Sequence, residues 1–435
     1  MTRSATLATP AWSGFERWLR NRLIDQLQGL QGGTIAITDA LGTLTLGESS
    51  GAAQPLQIHA RVHSPDFYRQ IAMSGSVGAG EAYMDGLWEC DDLVALVRLL
   101  VRNRDLLDGM ESGLARLGGM AMRGWHALKR NTRAGSRDNI AAHYDLGNEL
   151  FALFLDQNMM YSSAIFAKPD ESAGAESLGT ESLERASRRK LDRICRKLDL
   201  RRSDRVIEIG TGWGGFALHA ATHYGCHVTT ATISREQYDL ARQRVAAAGL
   251  QDRVSVLLLD YRDLRGSYDK LVSIEMIEAV GHQYLEAYFT TCASLLGNDG
   301  IALIQAITIE DHRYRQALRS VDFIKRHVFP GSFIPCVSAM LDANARASDL
   351  RLINLEDIGP SYAMTLRHWR QRFIANRDAV RKLGYDERFV RMWEYYLCYC
   401  EGGFLERSVS TAQLLLARPG NRREQFIPAE VATTS

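Results

Sequence analysis

The sequence predicts an α/β chain in which a doubly wound, mostly parallel sheet follows a small α+β region. Three observations predict this fold class. From Arg205 onward, short apolar runs alternate with helical patterns, which is typical of βαβ units. A glycine-rich turn directly follows the first of these runs. Residues 1–112 instead mix helical spacing with two-residue periodicity and contain no copy of the later pattern.

The N-terminal region, residues 1–112, is predicted to form a small α+β domain. Apolar residues recur at helical spacing over 12–30, and two glycines end that predicted helix. Residues 34–46 alternate apolar and polar positions in two short runs, which predicts a hairpin. The same alternation over 57–63 predicts another strand, and residues 66–73 are predicted to be helical.

The C-terminal region, residues 139–435, contains the βαβ pattern. Its five predicted strands are buried apolar runs at 206–209, 227–233, 254–259, 268–274 and 301–307. Predicted helices over 183–198, 216–223 and 235–248 accompany them. Beyond Asp322 the chain is expected to be mainly helical and rich in aromatic residues, which suits either plain helical packing or a cover for an acyl chain.

The predicted linker, residues 113–138, differs in charge from the rest of the chain. Residues 113–137 contain six basic side chains and no acid, interleaved with apolar residues. This composition is typical of a solvated linker helix, and equally of a basic surface that meets anionic lipid headgroups. The sequence does not distinguish between these two interpretations.

Composition excludes several classes of function. The 435 residues carry 52 basic and 51 acidic side chains, a net charge of +1, so no chain-wide field attracts nucleic acid. The longest apolar runs, such as 414–417, are far shorter than the roughly 20 residues of a membrane span. Seven scattered cysteines and the absence of a secretion signal favour a cytoplasmic enzyme with reduced thiols, and we expect no metal site.

The glycine turn predicts a nucleotide-binding site. Gly210, Gly212 and Gly215 satisfy G-x-G-x-x-G between a buried strand and a helix, where the backbone and helix N–H groups can approach a ligand. Dinucleotide-binding folds also require an acid at the tip of the second strand. That tip, Thr230–Thr232, contains no acid.

Two acids elsewhere favour S-adenosylmethionine (SAM). Glu208 precedes the first glycine by two residues and can hold the cationic methionine end. Asp260 follows the third strand and can accept the adenine amino group. A nicotinamide or flavin cofactor, or a turn that binds nothing, remain the alternatives.

Motifs in one order over about residues 135–405 resemble the cyclopropane-fatty-acid synthases. The matching segments are HYDLGN at 143–148, YSSA at 161–164, VIEIGTGWGG at 206–215, TISREQ at 232–237, DYRDL at 260–264, MIEAVGH at 276–282, FIKRHVFPGSFIP at 323–335, SYAMTLRHWRQRF at 361–373 and EYYLCYCEGGF at 394–404. Residues 78–93 resemble the N-terminal region of longer bacterial members. The resemblance implies a Rossmann-like SAM-dependent methyltransferase fold.

The resemblance also implies which residues bind SAM. It places Tyr161 and Ser162 at the methionine end, with Gly210 and Gly212 beneath it. It places Thr232, Ile233 and Gln237 near the ribose. Tyr261 and Arg262 are placed near adenine. These positions join Glu208 and Asp260.

The resemblance further implies a bound bicarbonate as the catalytic base, with departures in this chain. Glu278 and Tyr362 stand at the glutamate and tyrosine positions that hold the anion. Ser163 replaces the usual cysteine, and Gln305 replaces the usual histidine. Both replacements still form hydrogen bonds, but Gln305 cannot carry positive charge.

The resemblance implies that a methylene group is added to the cis double bond of an unsaturated acyl chain in a membrane phospholipid, giving a cyclopropane ring. The altered base positions motivate one alternative, a methyltransferase that leaves a methyl- or methylene-branched chain. A non-catalytic lipid-binding protein and a methyltransferase for a small soluble substrate are further alternatives. We expect association with the inner membrane surface, and the longer family members suggest a homodimer.

Overall fold

The structure is a computed structural model that describes residues 12–50, 54–108, 146–167 and 181–423. The chain divides into two compact units. The first comprises residues 1–122 and 387–395, and the second comprises 123–386 and 396–435. The predicted boundaries at residues 112 and 138 lie outside the described residues, as do the basic stretch 113–137 and the segment 143–145. Among the described residues, no helix is both long and apolar enough to cross a membrane.

Residues 14–108 of the first unit form four helices and a four-stranded sheet. The elements are α1 (Gly14–Leu27), β1 (Gly33–Asp39), β2 (Gly42–Leu46), β3 (Leu56–Val62), α2 (Asp66–Met84), β4 (Trp88–Cys90), α3 (Leu93–Arg102) and α4 (Arg104–Asp108). The sheet order is β2-β1-β3-β4, with β1 parallel to β3 and the other pairs antiparallel. The predicted first helix, hairpin and strand are confirmed. The predicted helix over 66–73 continues to Met84, with a break at Gly75.

Helix α1 packs against α2, and a buried ion pair joins it to the end of β1. The side chain of Ser13 accepts a hydrogen bond from the Glu16 backbone N–H, and the Glu16 carboxylate accepts one from the Ser13 backbone N–H, which is a capping box. Arg20 Nε lies 2.5 Å from Asp39 Oδ2, and the Tyr68 hydroxyl donates to the same oxygen at 2.7 Å. These bonds satisfy charges that burial would otherwise destabilise.

The second unit contains the remaining elements and part of the last helix. They are α5 (Asn148–Ala152), α6 (Leu183–Lys197), β5 (Arg205–Ile209), α7 (Gly215–Tyr224), β6 (His227–Thr232), α8 (Arg235–Ala247), β7 (Val254–Leu258), β8 (Tyr268–Ile274), α9 (Leu285–Leu295), β9 (Leu296–Ile309), α10 (Tyr314–Arg319), α11 (Val337–Ala347), β10 (Arg351–Asp357), α12 (Gly359–Ala375), α13 (Arg377–Lys382), α14 (Glu387–Leu405) and β11 (Val409–Ala417). A short π-helical turn covers Ile324–Val328.

The sheet of the second unit has seven strands in the order β10-β11-β9-β8-β5-β6-β7. Strands β5 to β9 run parallel, and β11 runs antiparallel to both of its neighbours. This confirms the predicted doubly wound sheet of the Rossmann-like methyltransferase fold. The chain order reverses between β5 and β8, and ligands bind outside the carboxyl ends of the strands at such a point.

The described residues after Asp322 are mainly helical, as expected, but they also contain β10 and β11, which the sequence did not indicate. The apolar run 414–417 belongs to β11, which is buried between β9 and β10. A strand buried on both faces loses the alternation of apolar and polar residues that identifies strands in a sequence. The predicted strand 301–307 is likewise longer, because β9 extends over fourteen residues.

Alternation along the strands places three polar residues on one face of the sheet. Val206, Leu303 and Leu415 pack with α6 and α7 in one hydrophobic cluster. Side chains two residues apart on a strand point to the same face. Glu208, Gln305 and Gln413 therefore share the α6 face, and they are 2%, 0% and 0% exposed.

Candidate active site

The turn between β5 and α7 forms an open cradle. Gly212 has φ +51°, a left-handed conformation that favours glycine. A Cβ atom built on Gly212 would meet no atom of the described residues within 4 Å, so those residues leave the space above the turn open. Helix α7 begins at Gly215, directly after the turn. The cradle fits the close backbone approach of a nucleoside ligand.

Glu208 lies beside this cradle with part of its carboxylate unpaired. Its Oε2 atom has no hydrogen-bond partner among the described residues, although the residue is 2% exposed. Burial raises the pKa of Glu208 to about 8, against the opposing effects of Thr230 and Lys190. A buried carboxylate with a free oxygen suits a cationic partner, and the ammonium of SAM is such a group.

The predicted ribose positions lie together at the start of α8. The hydroxyl of Thr232 donates to Gln237 Oε1 at 2.8 Å, and both residues are buried. Ser234 caps α8 by accepting from the Gln237 backbone N–H. Ile233, which lies between Thr232 and Ser234 in the chain, is partly exposed.

The predicted adenine positions form a closed ion pair. Asp260 Oδ1 accepts from Arg262 Nε at 2.8 Å, and Oδ2 accepts from Nη2 at 2.6 Å. The Arg262 backbone N–H also donates to Asp260, at 3.0 Å. Tyr261 packs edge-on against Tyr288. An adenine amino group must therefore share Asp260 with Arg262. We call Glu208, Gly212, Thr232, Gln237 and Asp260 the cofactor edge.

Tyr161 and Ser162, the predicted methionine-end residues, have partners that the sequence did not indicate. Lys190 Nζ donates to Ser162 Oγ at 2.8 Å, and Lys190 is completely buried. The hydroxyls of Tyr161 and Tyr396 lie 2.9 Å apart. Burial lowers the pKa of Lys190 to about 8, against the effect of three nearby carboxylates.

Three of the four predicted bicarbonate-binding residues converge on a carboxylate of the chain itself. Ser163 N donates to Glu275 Oε1 at 2.9 Å, and Gln305 Nε2 donates to the same oxygen at 2.8 Å. The Tyr362 hydroxyl donates to Oε2 at 2.7 Å. Gln413 donates to Gln305 Oε1 at 3.0 Å, which turns the Gln305 amide group toward Glu275. We call Ser163, Glu275, Gln305 and Tyr362 the base site.

Glu275 holds this position with a strained backbone. It directly follows β8 and has φ +50°, where a residue with a side chain costs about 1–2 kcal/mol. Its backbone N–H donates to the carbonyl of Gln305 at 2.7 Å. Strain that persists beside several directed hydrogen bonds is typical of functional positions.

Glu278, the predicted catalytic glutamate, lies one short turn beyond Glu275. Its Oε1 accepts from the Ile307 backbone N–H at 2.5 Å, and its Oε2 has no partner among the described residues. Burial and the neighbouring Glu275 raise the pKa of Glu278 to about 8. Burial also raises the pKa of Glu275, whereas its three donors and Lys190 lower it. Because Glu275 has more donors, the first proton goes to Glu278, and the negative charge stays on Glu275.

Aromatic rings surround the base site. Tyr362 lies 4.4 Å from Phe404 and 6.0 Å from Trp369, measured between ring centroids. Tyr161 lies 5.3 Å from Trp369 and 6.2 Å from Phe329. Aromatic faces attract cations, so this enclosure can stabilise positive charge on an apolar substrate.

Sequence reasoning missed Glu275, Lys190 and Tyr396. Glu275 carried a usable signal, since it ends a predicted strand and precedes Glu278 by only three residues. Lys190 precedes Ile194 by four residues and therefore lies on the apolar face of its helix. Tyr396 stands among several aromatic residues of one helix, and nothing in the sequence distinguishes it.

The chain matches known proteins over most of its length. Residues 131–414 match the mycolic acid cyclopropane synthetase family. The chain is 40% identical over 375 residues to a tuberculostearic acid methyltransferase of Mycobacterium tuberculosis, covering 86% of each chain. It is 35% identical over 368 residues to the cyclopropane-fatty-acyl-phospholipid synthase of Escherichia coli, covering 82% of this chain and 87% of the relative.

Solved structures of cyclopropane synthases are also similar to this chain. The cyclopropane synthase MmaA2 from Mycobacterium tuberculosis superimposes with a TM-score of 0.58 at 25% identity, over 65% of this chain and 98% of its own. The mycolic acid cyclopropane synthase CmaA1, complexed with SAH and CTAB, gives a TM-score of 0.58 at 27% identity, with the same coverage.

Proposed function

The chain belongs to the mycolic acid cyclopropane synthetase family and is a SAM-dependent methyltransferase, and from this premise we propose that it methylates the double bond of an unsaturated lipid acyl chain. We further propose that Glu275 is the base and that the product is a methylene-branched chain. The observation that carries this proposal is the convergence of Ser163, Gln305 and Tyr362 on the Glu275 carboxylate.

The cofactor edge fits SAM through its open glycine turn and the unpaired oxygen of Glu208. SAM, when bound, supplies an electrophilic methyl group to the alkene. Addition of a methyl group to one alkene carbon leaves a cation on the other. The aromatic enclosure of Tyr362, Trp369 and Phe404 would stabilise that cation, since ring faces attract positive charge.

Glu275 would then remove a proton from the new methyl group. The C–H electron pair forms a carbon–carbon bond, and the proton passes to a carboxylate oxygen. The three donors that would hold bicarbonate already hold Glu275, so no second anion is needed.

The product depends on when the proton leaves. Removal from the first cation closes a cyclopropane ring. A prior hydride shift places the cation on the carbon that carries the methyl group, and removal then gives an exocyclic methylene. The backbone and three donors hold the Glu275 carboxylate in place, so it cannot move toward the new methyl group. The hydride shift can therefore occur before the proton is removed. Relatives with 40% and 36% identity are described as a tuberculostearic acid methyltransferase and a probable fatty acid methyltransferase, which supports branching.

Cyclopropane formation is the second candidate. Tyr362 and Glu278 stand at the positions that the resemblance assigns to ring-forming enzymes, and Glu278 lies next to Glu275. The Escherichia coli relative is described as a cyclopropane-fatty-acyl-phospholipid synthase. Either product adds the mass of one CH2 group to the acyl chain, so the two candidates differ in structure and not in mass.

The lipid and its location form part of the proposal. We propose a phospholipid acyl chain, reached from the cytoplasmic face of the membrane. The basic stretch 113–137 is the proposed contact with anionic headgroups. Binding to anionic vesicles should then weaken as salt rises, because exposed charges are screened over roughly 8–10 Å.

The Glu275→Gly variant tests the base and the product together. Glycine relieves the left-handed strain and frees the three donors for an external anion. The assay uses vesicles of cis-unsaturated phospholipid with SAM, in carbonate-free buffer and in bicarbonate, with products analysed by mass spectrometry and NMR. The native enzyme should form an exocyclic methylene in both buffers, whereas the variant should be active only with bicarbonate. A native enzyme that requires bicarbonate, or forms only rings, would contradict the proposal.

A further inference from the structure

Lys190 occupies a position where a charged side chain is expensive to bury. It lies on α6 with none of its surface exposed. Its ammonium donates to Ser162 Oγ at 2.8 Å. Removing an ammonium group from water strongly disfavours its charged form unless opposite charges lie close to it.

Three carboxylates from three segments supply that opposite charge. Asp156, Glu208 and Glu275 are the acids whose charges act on Lys190. Asp156 already accepts hydrogen bonds from the backbone N–H groups of Met160 and Asn158, at 2.9 and 3.0 Å. Glu208 belongs to the cofactor edge, and Glu275 belongs to the base site. Lys190 donates to Ser162, and the backbone N–H of the next residue, Ser163, donates to Glu275, so adjacent residues connect this cation to the base site.

We propose that Lys190 is a positioning residue for methyl transfer: its charge keeps Glu275 ionised, and its hydrogen bond fixes Ser162 at the methionine end of SAM. This inference rests on the proposed role of Glu275 as the base. A base must be deprotonated before the reaction, and a cation held near it favours that state.

The charges around Glu275 show why a fixed cation is needed. Its three hydrogen-bond donors are a backbone amide, the amide of Gln305 and the hydroxyl of Tyr362, all of them neutral. Burial raises the pKa of Glu275, and Lys190 is the cation whose charge opposes this effect. The neighbouring Glu278 carries either a proton or a second negative charge, and it supplies no positive one.

The same helix offers a matched control. Lys197 is also a buried lysine of α6, with a side chain 1% exposed. Its ammonium pairs with Glu356, which also pairs with Arg193. Lys197→Met therefore removes a buried cation of the same helix without altering Ser162 or Glu275.

The test measures kcat against pH, together with SAM affinity, for Lys190→Met, Lys190→Arg and Lys197→Met. Loss of the Lys190 charge should raise the pKa of Glu275, so the acid limb of the Lys190→Met profile should move to higher pH by about one unit. At pH values below the native acid limb, kcat should fall by up to about tenfold, and it should return to the native value in alkaline buffer, where Glu275 ionises without help. Lys190→Arg should retain the native profile, and Lys197→Met should not shift it.

A purely structural role for Lys190 predicts a different result. A loss of kcat that is equal at every pH, or an unshifted acid limb, would overturn the inference. If Lys190→Met does not fold, Lys190→Gln replaces it, since an amide can still donate to Ser162. Glu275→Gln, measured in parallel, separates the two proposals. If that variant is active, the base assignment fails, whereas an inactive Glu275→Gln with an unshifted Lys190→Met profile rejects only the role of Lys190.

Discussion

The cofactor edge and the base site occupy neighbouring strand ends of one sheet, yet they are built in different ways. Four of the five residues of the cofactor edge, from Glu208 to Gln237, lie in one continuous stretch of chain that runs from β5 to the start of α8. The base site collects residues from Ser163 to Tyr362, on segments that meet only in the folded chain. At the cofactor edge a left-handed backbone position is a glycine, Gly212, and at the base site it is a glutamate, Glu275.

That difference indicates what each region requires. At Gly212 the backbone needs space, and any side chain would enter the cradle. At Glu275 the carboxylate itself is needed, and three donors offset a conformational cost of about 1–2 kcal/mol. Variants should therefore affect the two regions separately, with cofactor binding changed at one and turnover at the other.

The largest effect is expected at Glu275. Glu275→Gln keeps the size of the side chain but removes the base, so kcat should fall by about 10³. The affinity for SAM should stay within about threefold of native, since none of the cofactor edge is altered. Single-turnover assays with radiolabelled SAM measure the first effect, and calorimetry measures the second. A variant that loses both together would show that the two regions act as one.

Glu278 provides the contrast within the base site. Burial and the neighbouring Glu275 raise the pKa of Glu278 to about 8, which favours its protonated form near neutral pH. Glutamine resembles a protonated glutamate, and its carbonyl can still accept from Ile307 N. Glu278→Gln should therefore lower kcat by only about tenfold. General acid–base catalysis contributes about 10²–10⁴ in rate, and we expect Glu275 to supply most of it. A deeper loss than that of Glu275→Gln would move the catalytic role to Glu278.

The next effect concerns the cofactor edge alone. Gly212→Val fills the cradle and places a β-branched residue at φ +51°, so SAM should bind at least about 100-fold more weakly. Gly249 is a matched control, because it has φ +67°, no atom within 4 Å of a built Cβ, and a place after α8. Gly249→Val should show a similar loss of thermal stability with native SAM affinity. Equal affinities in the two variants would remove the turn from the site.

The contrast also explains which features the sequence could predict. The glycine turn, its strand and its helix are neighbours in the chain, so local patterns were sufficient to locate them. The order of β10 and β11 depends on pairing between distant strands, and the uninterrupted apolar run of β11 has no periodicity. Motif resemblance located Ser163, Gln305 and Tyr362, but the group they hold became visible only when the fold brought Glu275 between them.

The smallest effect tests the outer end of the cofactor edge. Arg262 occupies both oxygens of Asp260, so it either competes with adenine or orients the carboxylate. We expect the orienting effect of Arg262 to outweigh its competition with adenine. Without the two hydrogen bonds from Arg262, the Asp260 carboxylate regains rotational freedom, which SAM binding must then remove. Arg262→Gln should therefore weaken SAM binding by about threefold and leave kcat unchanged, and the loss of a partner for Asp260 should destabilise the fold by about 1–3 kcal/mol.

Arg265 is the matched control for this variant, because within the described part of the chain it donates only to the backbone carbonyls of Arg262 and Leu264. Arg265→Gln should bind SAM with native affinity. Calorimetric titration below the melting temperature of each variant makes the comparison. Tighter binding in Arg262→Gln would mean that the arginine competes with adenine for Asp260. The Arg262–Asp260 ion pair would then lower the affinity for SAM, whereas the other residues of the cofactor edge are arranged to increase it. The base site would in that case be the more completely preorganised of the two regions.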